Sequence, residues 1–161
     1  SSNPDMIYIP GYYEDVGMIV KQAREIGFYG PIAGGDGWDS PKLVEIAGPA
    51  ALNGTYFCSG YSAQDQEPSI QKFIKNYKTM FNVEPDSFAI HGYDAVMIVI
   101  EAIKRAGTTD GVKLAAEIAK TKDLHVATGK VTFDERHNPL KSAIIIEMKD
   151  GKQVFKQRLN P

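Results

Sequence analysis

Met6-Ile7-Tyr8-Ile9, closed by Pro10-Gly11, is the stretch whose reading decides the fold. A short apolar run, β-branched and aromatic, that ends in turn residues is a buried strand. Working outward, Val16, Ile19, Val20, Ala23 and Ile26 recur at helical spacing. Glu14 and Asp15 fall in the first turn of that helix, where its dipole favours negative charge, and Gly27 stops it. Pro31-Ile32-Ala33 predicts a second strand. Ser40 is a cap and Pro41 the start of a short helix through Ala47, ended by Gly48. Thr55-Tyr56-Phe57-Cys58 predicts a third strand. Strand, helix, strand, helix, strand is the signature of parallel βαβ units, so the fold class is α/β.

Beyond this the pattern changes. Ser59 to Glu67 is polar and turn-rich, as a linker or hinge would be. Ile70, Phe73, Ile74, Tyr77 and Phe81 mark an amphipathic helix begun by Pro68, and residues 82 to 86 form a loop. Residues 87 to 106 predict a helix apolar on most sides, hence largely buried. Asp110 caps a third helix carrying Leu114, Ala115 and Ile118. Three helices in succession do not extend a βαβ series and call for another lobe or sheet to pack on. The tail is β: Lys130 to Phe133, Ser142 to Met148 and Gln153 to Lys156. Asp134 to Pro139 and Asp150-Gly151 supply its turns.

Composition narrows the function classes. The 161 residues, 43% hydrophobic and 24% charged, fit one globular domain or two small lobes and exclude disorder, a fibrous repeat or a coiled coil. Lys plus Arg number 18 against 20 Asp plus Glu, so no basic surplus exists to neutralise nucleic-acid phosphates. The single cysteine, Cys58, excludes an intrachain disulfide and reads as an inert strand residue. Ala95 to Ile100, the most apolar stretch, lies between Asp94 and Glu101 and is far too short to span a bilayer. The first residues show no signal-peptide pattern, and a strand follows almost at once, as in a piece of a longer protein.

The residues with chemical potential gather after the first two strands. Gly34-Gly35-Asp36-Gly37-Trp38 follows a strand and precedes a helix, where open α/β sheets bind ligands. Its spacing fits neither a dinucleotide fingerprint nor a phosphate-binding loop, and Asp36 would repel phosphate. A carboxylate between glycines suits a small cation or an ammonium group; a tight turn with Asp36 facing water is the alternative. Tyr12 and Tyr13 stand at the same edge, as a ligand wall or as packing. Trp38 either covers a ligand or pins the loop to the core. His91 and Asp94 are three apart on one helix, and His125 and His137 lie in loops without zinc-site spacing, so no metal is expected. Asn53-Gly54-Thr55 matches a glycosylation sequon. No catalytic signature or cofactor motif is present.

Pro10-Gly11-Tyr12-Tyr13-Glu14-Asp15-Val16-Gly17, Gln22-Ala23-Arg24-Glu25-Ile26-Gly27 and Gly34-Gly35-Asp36-Gly37 together resemble the type I periplasmic substrate-binding proteins of bacterial ABC importers, in their leucine/isoleucine/valine-binding branch. Ile46-Ala47-Gly48, Gly92-Tyr93-Asp94-Ala95-Val96 and Thr128-Gly129-Lys130-Val131-Thr132-Phe133-Asp134 continue the likeness in order. The resemblance implies the second half of a chain that folds as two Rossmann-like, three-layer lobes. Residues 1–60 would be a second-lobe βαβαβ unit, 61–67 a hinge, 68–127 helices belonging to the first lobe, and 128–161 the crossover and β tail. It implies a periplasmic or lipid-anchored cell-surface component that binds an amino acid between lobes, without catalysis or cofactor. Its partners would be a membrane permease and the missing first half or a swapped copy. Tyr12 would line the pocket and Asp36 would take the place of a glutamate that binds the ligand's ammonium. Tyr93 would reach in from a first-lobe helix, and Trp38 would reshape the side-chain pocket. The competing readings are a sensor or receptor domain of the same fold, and an α/β enzyme using Asp36 as general base.

Overall fold

The computed structural model describes residues 4–160. The first strand, β1, spans Ile7–Ile9, and α1 spans Tyr13–Glu25. Next come β2 (Ile32–Gly34), one 3-10 turn at Asp36–Trp38, α2 (Pro41–Ala47) and β3 (Thr55–Ser59). Ser40 caps α2 by accepting from the Lys42 amide, and Pro41 sits in its first turn, as its sequence predicts. The three helices are α3 (Pro68–Phe81), α4 (Ser87–Ala106) and α5 (Gly111–Ala119). The tail is β4 (Leu124–Val126), β5 (Gly129–Phe133), β6 (Pro139–Leu140), β7 (Ala143–Lys149) and β8 (Lys152–Leu159). β4 and β6 have no counterpart in the sequence reading: unlike β1 and β2 they contain no continuous apolar run, and at two or three residues they are too short to show alternation. No helix among the described residues is long and apolar enough to cross a membrane.

The chain divides into two compact units. The first runs to Gln64 and resumes at Ala143–Leu159; the second holds Asp65–Ser142. In the first unit the sheet order is β1-β2-β3-β7-β8. β1, β2 and β3 pair in parallel, whereas β7 returns antiparallel to β3 and β8 antiparallel to β7. Strand residues alternate between buried and half-exposed, the pattern of a sheet with one face packed. The packed face supplies Ile32, Phe57, Ile144, Ile146 and Met148. They form one core with Val16 and Val20 of α1 and Leu43 of α2.

In the second unit β4, β5 and β6 form a small antiparallel sheet. Here the expectation for residues 87 to 106 needs correction. α4 forms over that span, but it is not largely buried: of its residues only Ser87, Ile90, Asp94 and Ala102 are buried. Phe88, Val96, Val99 and Ile100 are exposed, Val96 at 58%. A helix apolar on all sides needs neighbours on all sides, and the buried residues mark a single stripe.

Candidate functional site

Two loops at the carboxyl end of the parallel strands build the candidate site. After β1, Pro10 and Gly11 lead to Tyr12, the extended N-cap residue of α1. Its carbonyl accepts from the Val16 amide at 3.0 Å, while the residue is 63% exposed. After β2, Gly35 is extended and Asp36 opens the 3-10 turn with its side chain in solvent.

Glycines let these loops touch. A Cβ on Gly34 would lie 2.2 Å from the Trp38 indole, so only hydrogen permits the ring to cross there. A Cβ on Gly37 would lie 2.8 Å from the Gly11 carbonyl oxygen and 3.0 Å from the Tyr12 ring. The loop bearing Asp36 therefore runs against Gly11 and Tyr12. Tyr12 and Asp36 are brought together at one edge of one sheet, where the alternation of strands and helices places them.

Trp38 is corrected as a ligand-contacting residue. It is fully buried, donates its indole N–H to the Ile9 carbonyl at 3.2 Å and packs on Phe57 with ring centroids 6.2 Å apart. Of its two sequence readings, the pin to the core is the one the structure adopts. A large ring burying its apolar body while its one polar atom finds a backbone acceptor is the favoured state of tryptophan. Gly34→Ala is expected to expel this ring, destabilising the first unit by about 1–3 kcal/mol through overpacking. Emission from Trp38, the only tryptophan, would shift to the red. Unchanged emission and an unchanged unfolding midpoint would show that the crossing tolerates a methyl group.

Tyr93 belongs to the second unit. It is 48% exposed on α4, with its ring 5.3 Å from Phe73. An apolar groove of about 290 Å³ lies there, lined by Phe73, Tyr77, Phe81, Tyr93 and Met97 among others. One residue beyond stands a group that sequence reasoning paired only with His91. The buried Asp94 carboxylate accepts from the Ala127 amide at 2.8 Å, from the Thr128 amide at 3.3 Å and from the Thr128 hydroxyl. Lys141 completes the cluster, its ammonium 3.3 Å from Asp94 and hydrogen-bonded to the Thr128 hydroxyl. The available signal was an acidic residue beside the apolar run 95–100 of α4, which needs partners to be buried.

Other motifs have structural roles. Asn53 of the sequon exchanges two hydrogen bonds with Asp150, and Thr55 is buried with its hydroxyl donated to the Leu52 carbonyl. Cys58 is half-buried on β3, opposite Ile145 of β7. No cluster of three or more His, Cys, Asp or Glu side chains that could hold a metal ion occurs among the described residues.

Comparison with known proteins now bears on this architecture. Residues 1–153 match the family described as Periplasmic binding protein. The chain belongs to that family. Among solved structures this periplasmic binding protein chain is similar to the leucine-binding protein LivK of Thermotoga maritima, at 41% identity and a TM-score of 0.88. The match covers 99% of this chain and 45% of LivK. LivJ of Streptococcus pneumoniae, a branched-chain amino acid transporter substrate-binding protein solved with isoleucine, is 35% identical with a TM-score of 0.86. That match covers 100% of this chain and 46% of LivJ. A Leu/Ile/Val-binding protein homolog of Brucella suis is 27% identical over 135 residues, 84% of this chain and 36% of the relative. The chain thus spans less than half the length of the relatives it matches, and its fold is a fragment of the type I periplasmic-binding-protein architecture. The family is one of binding proteins rather than enzymes.

Proposed function

We propose that this chain is part of an extracytoplasmic solute-binding protein of an ABC importer, which takes a free amino acid of branched-chain type. The observation that carries the reading is the approach of Tyr12 to the Asp36 loop at the carboxyl edge of a parallel sheet, where α/β folds bind ligands. Among the described residues the Asp36 carboxylate has no side-chain partner, so it is open to one. A ligand ammonium carries three donors, and charge-assisted bonds to a carboxylate are among the strong ones. Tyr12 supplies an aromatic wall with a polar tip. Tyr93 is a further contact that the family resemblance implies. The names of LivK and LivJ support the same class of ligand. No step in this function calls for catalysis, a cofactor or a metal. A membrane permease is the proposed downstream partner.

Calorimetry tests the reading. Leucine, isoleucine, valine and a polar control are titrated into the chain alone and into the chain combined with the remaining part of the fold, in fusion or in trans. Saturable binding of an apolar amino acid in the combined protein is expected. Turnover of the amino acid would favour the enzyme reading, and no binding of any amino acid would reject the proposal.

The exposed side of α4 bears on assembly. We assign it to packing by the part of the fold that LivK and LivJ contain and this chain does not. The chain alone is expected to bind a hydrophobic dye and to self-associate. Adding the remaining part should remove both effects, and Val96→Lys should weaken dye binding. A stable monomer that ignores the dye would show that the face needs no cover.

A further inference from the structure

The buried carboxylate next to the candidate site is not used by the function proposed above. Asp39 follows the Asp36–Trp38 turn directly, and its amide donates to the Asp36 carbonyl at 3.1 Å. The residue is only 2% exposed. One carboxylate oxygen accepts from the Ser59 hydroxyl at 3.2 Å, at the end of β3. The other accepts from the Gln153 side-chain amide at 2.6 Å, on β8. The Ser59 hydroxyl in turn accepts from the Tyr61 amide at 3.1 Å. Gln64, the last residue of the first unit before the chain crosses to the second, also reaches β8. It donates to the Gln153 carbonyl at 3.2 Å and accepts from the Phe155 amide at 3.0 Å.

Hydrogen bonds, joined by the chain between them, therefore link the Asp36 loop through Asp39 to residues 59–64 and to Gln153 and Phe155 of β8. We propose that Asp39 is a positioning residue that couples the loop carrying Asp36 to the segment by which the chain leaves the first unit. A buried carboxylate whose oxygens are satisfied in this way fixes geometry, because releasing it would leave a buried charge, and the buried Ser59 hydroxyl, short of partners. Displacement of the Asp36 loop by a bound group would thus be transmitted to residues 59–64, and movement there would reset the loop. The ligand-dependent half of this inference rests on the proposed function; the linkage itself does not.

Hydrogen–deuterium exchange on the full chain tests the linkage without ligand. Asp39→Ala and Ser59→Ala are each expected to speed exchange about tenfold in both the 35–40 and the 60–66 peptides, while α1 stays protected. Ser59→Ala, at the far end, is the sharper variant, and it stands if Asp39→Ala does not fold. An effect confined to the mutated segment, or spread evenly over the first unit, would overturn the proposal. In the combined protein, with isoleucine as probe, Asp39→Ala should weaken binding about tenfold, and the Asp36→Asn, Asp39→Ala double variant should bind no more weakly than Asp36→Asn alone. Multiplying losses would show that Asp39 acts independently of the loop and would overturn the coupling. If the unaltered protein binds no amino acid, the functional reading fails, and the exchange result still decides the linkage.

Discussion

In the combined protein, Asp36→Asn is expected to keep the fold and to bind its amino acid 30-fold to several thousand-fold more weakly, about 2–5 kcal/mol. The side chain is exposed on a turn that the Trp38 anchor holds, so its volume and the loop's path survive the change. On the proposed reading, what is lost is the charge opposite the ligand ammonium, and most of the cost is the ammonium left without its counter-charge. If Asp36 faced only water in the liganded protein, the loss would be well under about 1 kcal/mol, because exposed pairs are screened. Tyr93→Phe, on the proposal that its hydroxyl meets the ligand, should cost less, about 0.5–1.5 kcal/mol for a neutral hydrogen bond. Calorimetry on the two variants ranks them. Normal binding by Asp36→Asn together with loss of binding on Tyr12 substitution would reject the ammonium site and point to a solute held by aromatic packing.

The second large effect is on stability. Asp94→Ala leaves the Ala127 and Thr128 amides without their acceptor and Lys141, whose side chain is 20% exposed, without its counter-charge. Removing one partner of a buried pair costs about 3–5 kcal/mol, a large share of a small unit's whole stability. The loss should be local. α3, α4 and α5 all lie in the second unit, so far-UV circular dichroism should show an early transition on denaturation. Trp38 lies in the first unit, and its emission should change at the same denaturant concentration as in the unaltered chain. A shift below about 1 kcal/mol would mean that water or another group replaces the carboxylate. Equal shifts by both probes would mean that the two units unfold as one.

Local chemistry made much of this protein legible from its residues alone. Ser40-Pro41 and Gly48 bracket α2 because a cap, a preset φ and a stop act within a few residues. β1, β2 and β3 show as short apolar runs between turn residues, and their alternation with helices dictates parallel pairing. That topology in turn puts Tyr12 and Asp36 at one sheet edge. Whether Trp38 faced ligand or core was not written in the sequence, because the answer depends on a contact with Ile9, 29 residues away, and on the space above Gly34. Periodicity alone predicted a buried α4, since apolar residues on every side of a helix demand neighbours without saying which the chain supplies; the family resemblance, which leaves the three helices without their sheet, implied the exposed apolar face that is found. Asp39 and Asp94 gained their roles only on folding. Their partners, Ser59 and Gln153 for one and Thr128 and Lys141 for the other, lie 20 to 114 positions away, and no local pattern encodes a pairing that the tertiary fold alone creates.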